Sequence, residues 1–255
     1  MPVVRCEQGS AEWFQVRAGK VTASEVADAI SFLTRKSKNG EAGTETAARA
    51  KYKAQIVAET LSGAPDMEGY VSQCMRDGTE NEPLARAAYE EMYDVLVDKI
   101  GFVTHPAIER AGASPDGFVG DDGGVEIKCP KSATHIAYMR AGNVPEEYEP
   151  QIMFNLACSG REWWDFVSFD GRLPRRHRMF VRRVFRDEAR IKEIEDGVTQ
   201  FLSEVDGVIS ELDRLNPEVE EPIIAKFLDP NFVDPDQIIT DEDMPEWWRN
   251  MQEQG

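Results

Sequence analysis

The stretch Gly112–Pro130, GASPDGFVGDDGGVEIKCP, decides how this chain is read. Its last part alternates in character: on an extended strand, side chains two apart share a face, so Val125 and Ile127 lie on one side and Glu126 and Lys128 on the other. The Asp-Asp-Gly-Gly run at 121–124 predicts a hairpin turn, folding this strand back beside an extended segment over 113–119. Asp116, ten residues ahead of Glu126, is thereby carried to within reach of it.

Two carboxylates brought that close repel unless a cation joins them, and hard oxygen donors that leave room for water suit Mg²⁺. Lys128, on the same face as Glu126, is placed to position a water nucleophile or to stabilise charge building on a phosphate. Such a set suits hydrolysis of phosphodiesters, with the metal polarising the phosphoryl oxygen and lowering the pKa of water. The same spacing also describes a Glu–Lys ion pair on a wet strand face beside an ordinary Asp-Gly turn, and on these residues alone both readings stand. Pro115, in front of Asp116, restricts the backbone there.

Outward from the hairpin, helical and extended periods alternate. VTASEVADAISF (21–32) predicts a helix with Thr22 and Ser24 in capping range, a second helix is expected over 45–61, and GTENEPLARAAYEEMY (78–93) predicts a third. In that third helix Leu84, Ala88 and Met92 share a stripe, and Pro83 is expected in its first turn. Residues 101–109 read as extended, PEEYEPQIMFNLACSG as a helix ending near Gly160, and EWWDFVSFD and HRMFVRRVFRD as strands. Ile191, Ile194, Val198, Phe201, Val205, Val208 and Leu212 recur at steps of three and four, predicting a long closing helix. The fold class expected is α/β, a central mixed sheet flanked by helices on both faces. Residues 1–215 would form one domain and 216–255 an acidic, proline-containing tail.

Composition narrows the classes. With 255 residues and 41 % hydrophobic content the chain can bury one full core, and no apolar run reaches the roughly 18 residues of a membrane span. The first residues lack the basic start, apolar core and cleavage site of a secretory signal, so a cytoplasmic setting is expected. Cys6, Cys74, Cys129 and Cys158 stand far apart, which argues against a zinc knuckle or a disulfide framework; Cys129 draws notice because it follows Lys128. His105, His135 and His177 show no metal-ligand spacing, and Trp163 and Trp164 read as core. The net charge of −18 is unusual for a nucleic-acid protein, but residues 216–255 hold eleven acids against Lys226 and Arg249, half of the imbalance. RRHRMFVRR (175–183) remains as a basic segment in which Arg178 and Arg182 or Arg183 could meet a DNA backbone, although a charged strand edge explains it as well.

SPDG…VEIKCP resembles the core motif of the PD-(D/E)XK nuclease superfamily, and in order along residues 8–215 further blocks resemble its YqaJ-type viral recombinase branch, the lambda exonuclease family. These blocks are EWFQVRAGKVTASEVADAI, GTENEPLARAAYE and PQIMFNLACSG. The resemblance implies that Asp116, Glu126, the Ile127 carbonyl and Glu82 hold Mg²⁺, for which Mn²⁺ can substitute, with Glu80 the nearest alternative to Glu82. It implies that Lys128 is the catalytic lysine and that Gln151 is the first glutamine of a Q-x-Q pattern whose second place is Met153. Arg17, Ser24 and Ser114 match a pocket for a 5′-terminal phosphate; an Arg fork and a helix start both favour an anion, while simple helix capping explains Ser24 equally well.

The family's activity, carried over as an expectation, is a Mg²⁺-dependent 5′→3′ exonuclease on double-stranded DNA. It would release mononucleotides and leave a 3′ overhang for annealing-type recombination. The resemblance further implies a homotrimeric ring enclosing DNA, which would reconcile an acidic exterior with a basic channel, and the tail would suit a single-strand annealing partner. The rivals are an endonuclease on the same fold, a non-catalytic DNA-binding assembly protein, and an iron–sulfur nuclease, the last disfavoured by the scattered cysteines.

Overall fold

The computed structural model describes residues 3–36, 41–66 and 73–216, with the backbone alone over 73–80. In chain order it comprises β1 (Val3–Val4), α1 (Ala11–Arg17), β2 (Val21–Thr22), α2 (Val26–Ala29), α3 (Ala47–Ser62), α4 (Gln73–Tyr93), β3 (Val97–Asp98), β4 (Phe102–Thr104), β5 (Ala111–Ala113), β6 (Gly117–Val119), β7 (Gly123–Lys128), α5 (Ser132–Ala141), α6 (Glu149–Ser159), β8 (Trp163–Phe169), β9 (Met179–Phe185) and α7 (Glu188–Leu215). The chain divides into a unit Met1–Glu211 and a second, Leu212–Gly255. Of the second, only the end of α7 and Asn216 are described, so nearly all of the expected tail, with Cys74's side chain and that of Glu80, lies outside the described residues.

The architecture is α/β, as expected, but its strands form two sheets. One has the order β1-β4-β5-β2, the other β3-β6-β7-β8-β9. The break falls at Ser114-Pro115-Asp116, between β5 and β6, where Pro115 has no N–H to continue a ladder. Gln8 pins this crossover, its Nε2 donating to the carbonyls of Pro115 and Ile100 at 2.9 Å each. β7 is central in its sheet, antiparallel to β6 and parallel to β8, and its residues are buried on both faces as far as Ile127. Val125 and Ile127 face the core formed with Ala85 and Tyr89 of α4, and Glu126, on the opposite face, is buried rather than wet.

The predicted turn is one step shorter than the Asp-Asp-Gly-Gly run. Gly123 and Gly124 belong to β7, paired with Trp163 and Trp164 of β8, and a Cβ on either glycine would overlap the facing indole. The turn is made by Gly120, with φ +55°, Asp121 and Asp122. Trp164 is fully buried, so its expected role in the core holds.

The helices show three local departures. Around Thr22 and Ser24 the chain makes β2 and a single 3₁₀ turn (Ala23–Glu25) before the four-residue α2, and neither hydroxyl caps a helix. Pro83 stands inside α4 rather than in its first turn, because α4 begins at Gln73. The stripe Leu84, Ala88 and Met92 is displaced by one position from the packed face: Leu84 and Met92 are exposed, whereas Ala85 and Tyr89 are buried. Elsewhere local signals and structure agree. Thr46 caps α3, its hydroxyl accepting from Arg49 N at 3.1 Å, and Gly160 ends α6 in the left-handed region at φ 65°. Along α7, Ile191, Ile194, Val198, Phe201 and Val205 form the expected buried stripe. α7 is tied to α3 by buried Arg49, which donates to Glu204 at 2.6 and 3.0 Å.

Candidate active site

The two sheets supply two clusters, and the crossover between them carries a residue of each. The first gathers where α1 meets the ends of β2 and β5. Parallel pairing sets Thr22 beside Gly112, two residues before Ser114. Arg17, in the last turn of α1, donates through Nη1 to Ser114 Oγ at 3.0 Å, and through Nη2 to Thr22 Oγ1 at 3.2 Å and Ser24 Oγ at 3.3 Å. The three residues expected to bind a phosphate therefore converge. Trp13 completes the cluster, a part that residue-type reasoning missed. Its indole N–H donates to Ser114 Oγ at 2.9 Å, and the Arg17 guanidinium lies 4.2 Å from its ring centroid. Among the described residues Arg17 forms no ion pair; its nearest partners are neutral hydroxyls. Burial lowers its pKa, partly offset by Tyr52, Glu25 and Glu59. A half-buried cation so arranged favours an incoming anion.

The second cluster lies at the exit of β7. Asp116 follows the crossover, and its Oδ2 accepts from Ile127 N at 2.6 Å, so the hairpin brings the acid beside the Glu-Ile-Lys triplet as expected. Lys128 Nζ donates to Glu126 Oε1 at 2.6 Å and lies 5.0 Å from the Tyr148 ring centroid. Gln151, on α6, donates from Nε2 to the same Oε1 at 2.6 Å. One turn on, Asn155 donates from Nδ2 to Oε2 at 3.2 Å. Met153, in the second place of the Q-x-Q pattern, is buried in the core; the second amide on Glu126 comes from Asn155 instead, which the sequence pattern did not reveal. Glu82 is half-buried on α4 and is engaged by Arg86, four residues on. Glu82, Asp116, Arg86 and Trp13 line one cavity of about 680 Å³, which reaches both clusters.

The electrostatics follow from this crowding. Burial, then the neighbouring Glu126, push the Asp116 carboxyl well above the usual range; Glu82 adds to this, while Lys128 and the Ile127 N–H oppose it. For Lys128 burial acts downward, but Glu126 and Asp116 outweigh it and raise the pKa. Burial pushes the Cys129 thiol up to about 12, reinforced by Glu82 and Asp116, so it is not a ready thiolate. Among the described residues no three His, Cys, Asp or Glu side chains converge as a preformed metal cage. Asp116 and Glu126 nevertheless fit Mg²⁺: they are neighbouring hard oxygen donors, Glu82 lines the same cavity as Asp116, and this ion needs only one or two carboxylates besides water and phosphate.

Several other expected residues are occupied elsewhere. Arg183 pairs with buried Asp165 at 2.8 Å, Arg182 Nε with the Gly142 carbonyl, and Arg178 Nε with the Leu173 carbonyl at 2.7 Å. His105 bonds Glu195 at 3.0 Å, and His135 lies between Ser168 and the His177 carbonyl at 2.7 and 2.9 Å. These histidines secure packing.

The family model of the YqaJ-like viral recombinase domain matches residues 12–162, which hold both clusters. The chain belongs to this family. No curated protein matches it significantly. Among solved structures it is similar to LHK-Exo in complex with dAMP, at 42 % identity and a TM-score of 0.72, over 80 % of this chain and 97 % of that one. A second structure, the alkaline exonuclease LHK-Exo from Laribacter hongkongensis, aligns at 42 % identity with a TM-score of 0.71 over the same shares. A phage related exonuclease from Haemophilus somnus 129PT shares the fold, at 20 % identity and a TM-score of 0.54, over 76 % of this chain and 96 % of that one. The nuclease fold and an exonuclease-like YqaJ family membership are thereby established for this chain. Among the described residues no helix is long and apolar enough to cross a membrane.

Proposed function

We propose that this YqaJ-family chain is a cytoplasmic, Mg²⁺-dependent exonuclease that digests one strand of double-stranded DNA in the 5′→3′ direction. It starts from a 5′-phosphorylated end, releases 5′-mononucleotides and leaves a 3′ overhang for annealing-type recombination. The observation that carries this reading is the crossover Ser114-Pro115-Asp116, which ties the Arg17 pocket, without an ion pair among the described residues, to the Asp116 carboxylate two residues on. A terminal phosphate held at the first cluster would set the neighbouring phosphodiester at the second. The dAMP in the LHK-Exo structure supports a mononucleotide product.

In this reading Asp116, Glu126 and the Ile127 carbonyl hold the ion, with Glu82 assisting. The bound ion would polarise the phosphoryl oxygen and activate water. Arg17, Ser24 and Ser114 bind the 5′ phosphate and fix the register of the strand. Lys128 donates hydrogen bonds to the water or to the phosphate oxygens as negative charge builds, and Gln151 orients Glu126. Residues 1–215 form the nuclease domain. The trimeric ring, and the docking of a single-strand annealing protein on residues 216–255, belong to the same proposal and rest on the family resemblance and the acidity of the tail.

The test compares linear duplexes bearing a 5′-phosphate or a 5′-hydroxyl with closed circular duplex, in Mg²⁺ and in EDTA, for the wild type and Lys128→Ala. Mg²⁺-dependent release of mononucleotides from phosphorylated linear ends, lost in the variant, is the expected result. Cleavage of the closed circle would establish an endonuclease, and equal digestion by both proteins would overturn the role of Lys128.

A further inference from the structure

We propose that Asn155 is a positioning residue that fixes the carboxylate plane of Glu126 for metal binding; this rests on the metal reading above. In α6, Pro150 and Ile152–Cys158 are buried, and apart from Asn155 every residue buried there is apolar: Pro150, Ile152, Met153, Phe154, Leu156, Ala157 and Cys158. Asn155 is only 1 % exposed, its Oδ1 has no hydrogen-bond partner among the described residues, and its Nδ2 donates to Glu126 Oε2. An orphaned buried carbonyl is a penalty that leucine or methionine at this position would avoid. The bond to Glu126 is what the asparagine provides in return.

That bond does something its neighbours do not. Lys128 and Gln151 both donate to Oε1, so together they restrain one oxygen and leave the carboxylate free to turn about the line through it. The terminal torsion of a glutamate is intrinsically broad. Among the described residues Asn155 is the donor on Oε2, and its own side chain is buried. With both oxygens held, the carboxylate has a single orientation before any cation arrives, and the ordering cost is already met in folding. Removing such a supporting partner typically weakens metal affinity by about 10- to 100-fold.

The experiment titrates Mn²⁺ and Mg²⁺ into DNA-free, EDTA-treated protein by calorimetry and records Tm with and without metal, for the wild type, Asn155→Leu and Asn155→Ala. The expected result is a metal dissociation constant raised about tenfold or more in both variants, with a smaller metal-induced rise in Tm. In Asn155→Leu the metal-free Tm reflects two opposing changes, the orphaned carbonyl removed and the buried Glu126 Oε2 left without its donor, so the metal-induced rise is read relative to each variant's own metal-free Tm. Unchanged metal affinity in the variants, beside a normal wild-type response, would overturn the role of Asn155 alone. If Asn155→Leu does not fold, the same comparison is read from Asn155→Ala. Absence of any metal binding by the wild type would instead remove the metal site itself, and this inference with it.

Discussion

The two clusters solve opposite electrostatic problems. Around Arg17 the protein sets neutral hydroxyls and an indole, leaving a cation without a counter-ion among the described residues. Around Asp116 and Glu126 it gathers like charges and then surrounds one of them with an ammonium and two amides. The first arrangement is suited to recognising an anion and the second to holding a cation and doing chemistry. If this division is right, damage to one cluster should change end preference and damage to the other should change rate on every end.

The largest effect is expected at the carboxylate cluster. Lys128→Ala should slow digestion about a thousandfold, the upper range for losing one donor aimed at developing charge. The loss should be equal on 5′-phosphorylated and 5′-hydroxyl ends, measured by release of acid-soluble nucleotides; a loss confined to phosphorylated ends would break the division. Next comes Arg17→Ala, which should slow digestion of phosphorylated ends by about 10- to 100-fold, as expected for charge-assisted hydrogen bonds. Digestion of 5′-hydroxyl ends should change little, and an equal fall on both would show that Arg17 serves the fold rather than the phosphate.

Two further substitutions sharpen the comparison by acting outside both clusters. Gly124→Ala drives a methyl into Trp164, its partner on β8, and should destabilise by about 1–3 kcal/mol, the usual range for overpacking. Thermal unfolding reports the loss, while the preference for phosphorylated ends stays at the wild-type ratio in the folded fraction. The smallest effect concerns Glu204, whose side-chain bonds to Arg49 outweigh burial and hold its pKa at about 2. A carboxyl depressed on folding contributes stability that is complete above its unfolded value near 4.5 and lost as pH falls through about 2. The Tm of the wild type should therefore fall more steeply across that window than that of Glu204→Gln. Identical profiles would mean that the α3–α7 ion pair carries no stability.

How much of this could be read beforehand differs between the clusters. Asp116, Glu126 and Lys128 are close in sequence and joined by one turn, so alternation and turn chemistry alone bring them together. Arg17, Ser24 and Ser114 converge only because β2 runs parallel to β5, a pairing across some ninety residues that no local pattern encodes. Their convergence was legible only through resemblance. Gly123 and Gly124 misled for a related reason: a glycine pair after two aspartates is a turn signal, but these glycines are demanded by indoles forty residues on. Pro83 misled because local propensity places proline in a first turn, while α4 continues upstream of it.

The sequence by itself determined the α/β class, the hairpin and the identities of the acids and the lysine, because strand alternation, turn chemistry and helical period act over a few residues. Only the tertiary structure decided that the strands split into two sheets at Pro115, that Trp13 joins the Arg17 cluster, and that Asn155 takes a place on Glu126 where Met153 cannot. Those outcomes depend on which distant surfaces close upon one another. Burial and hydrogen-bond satisfaction, which settle such pairings, are properties of the assembled core rather than of any one segment.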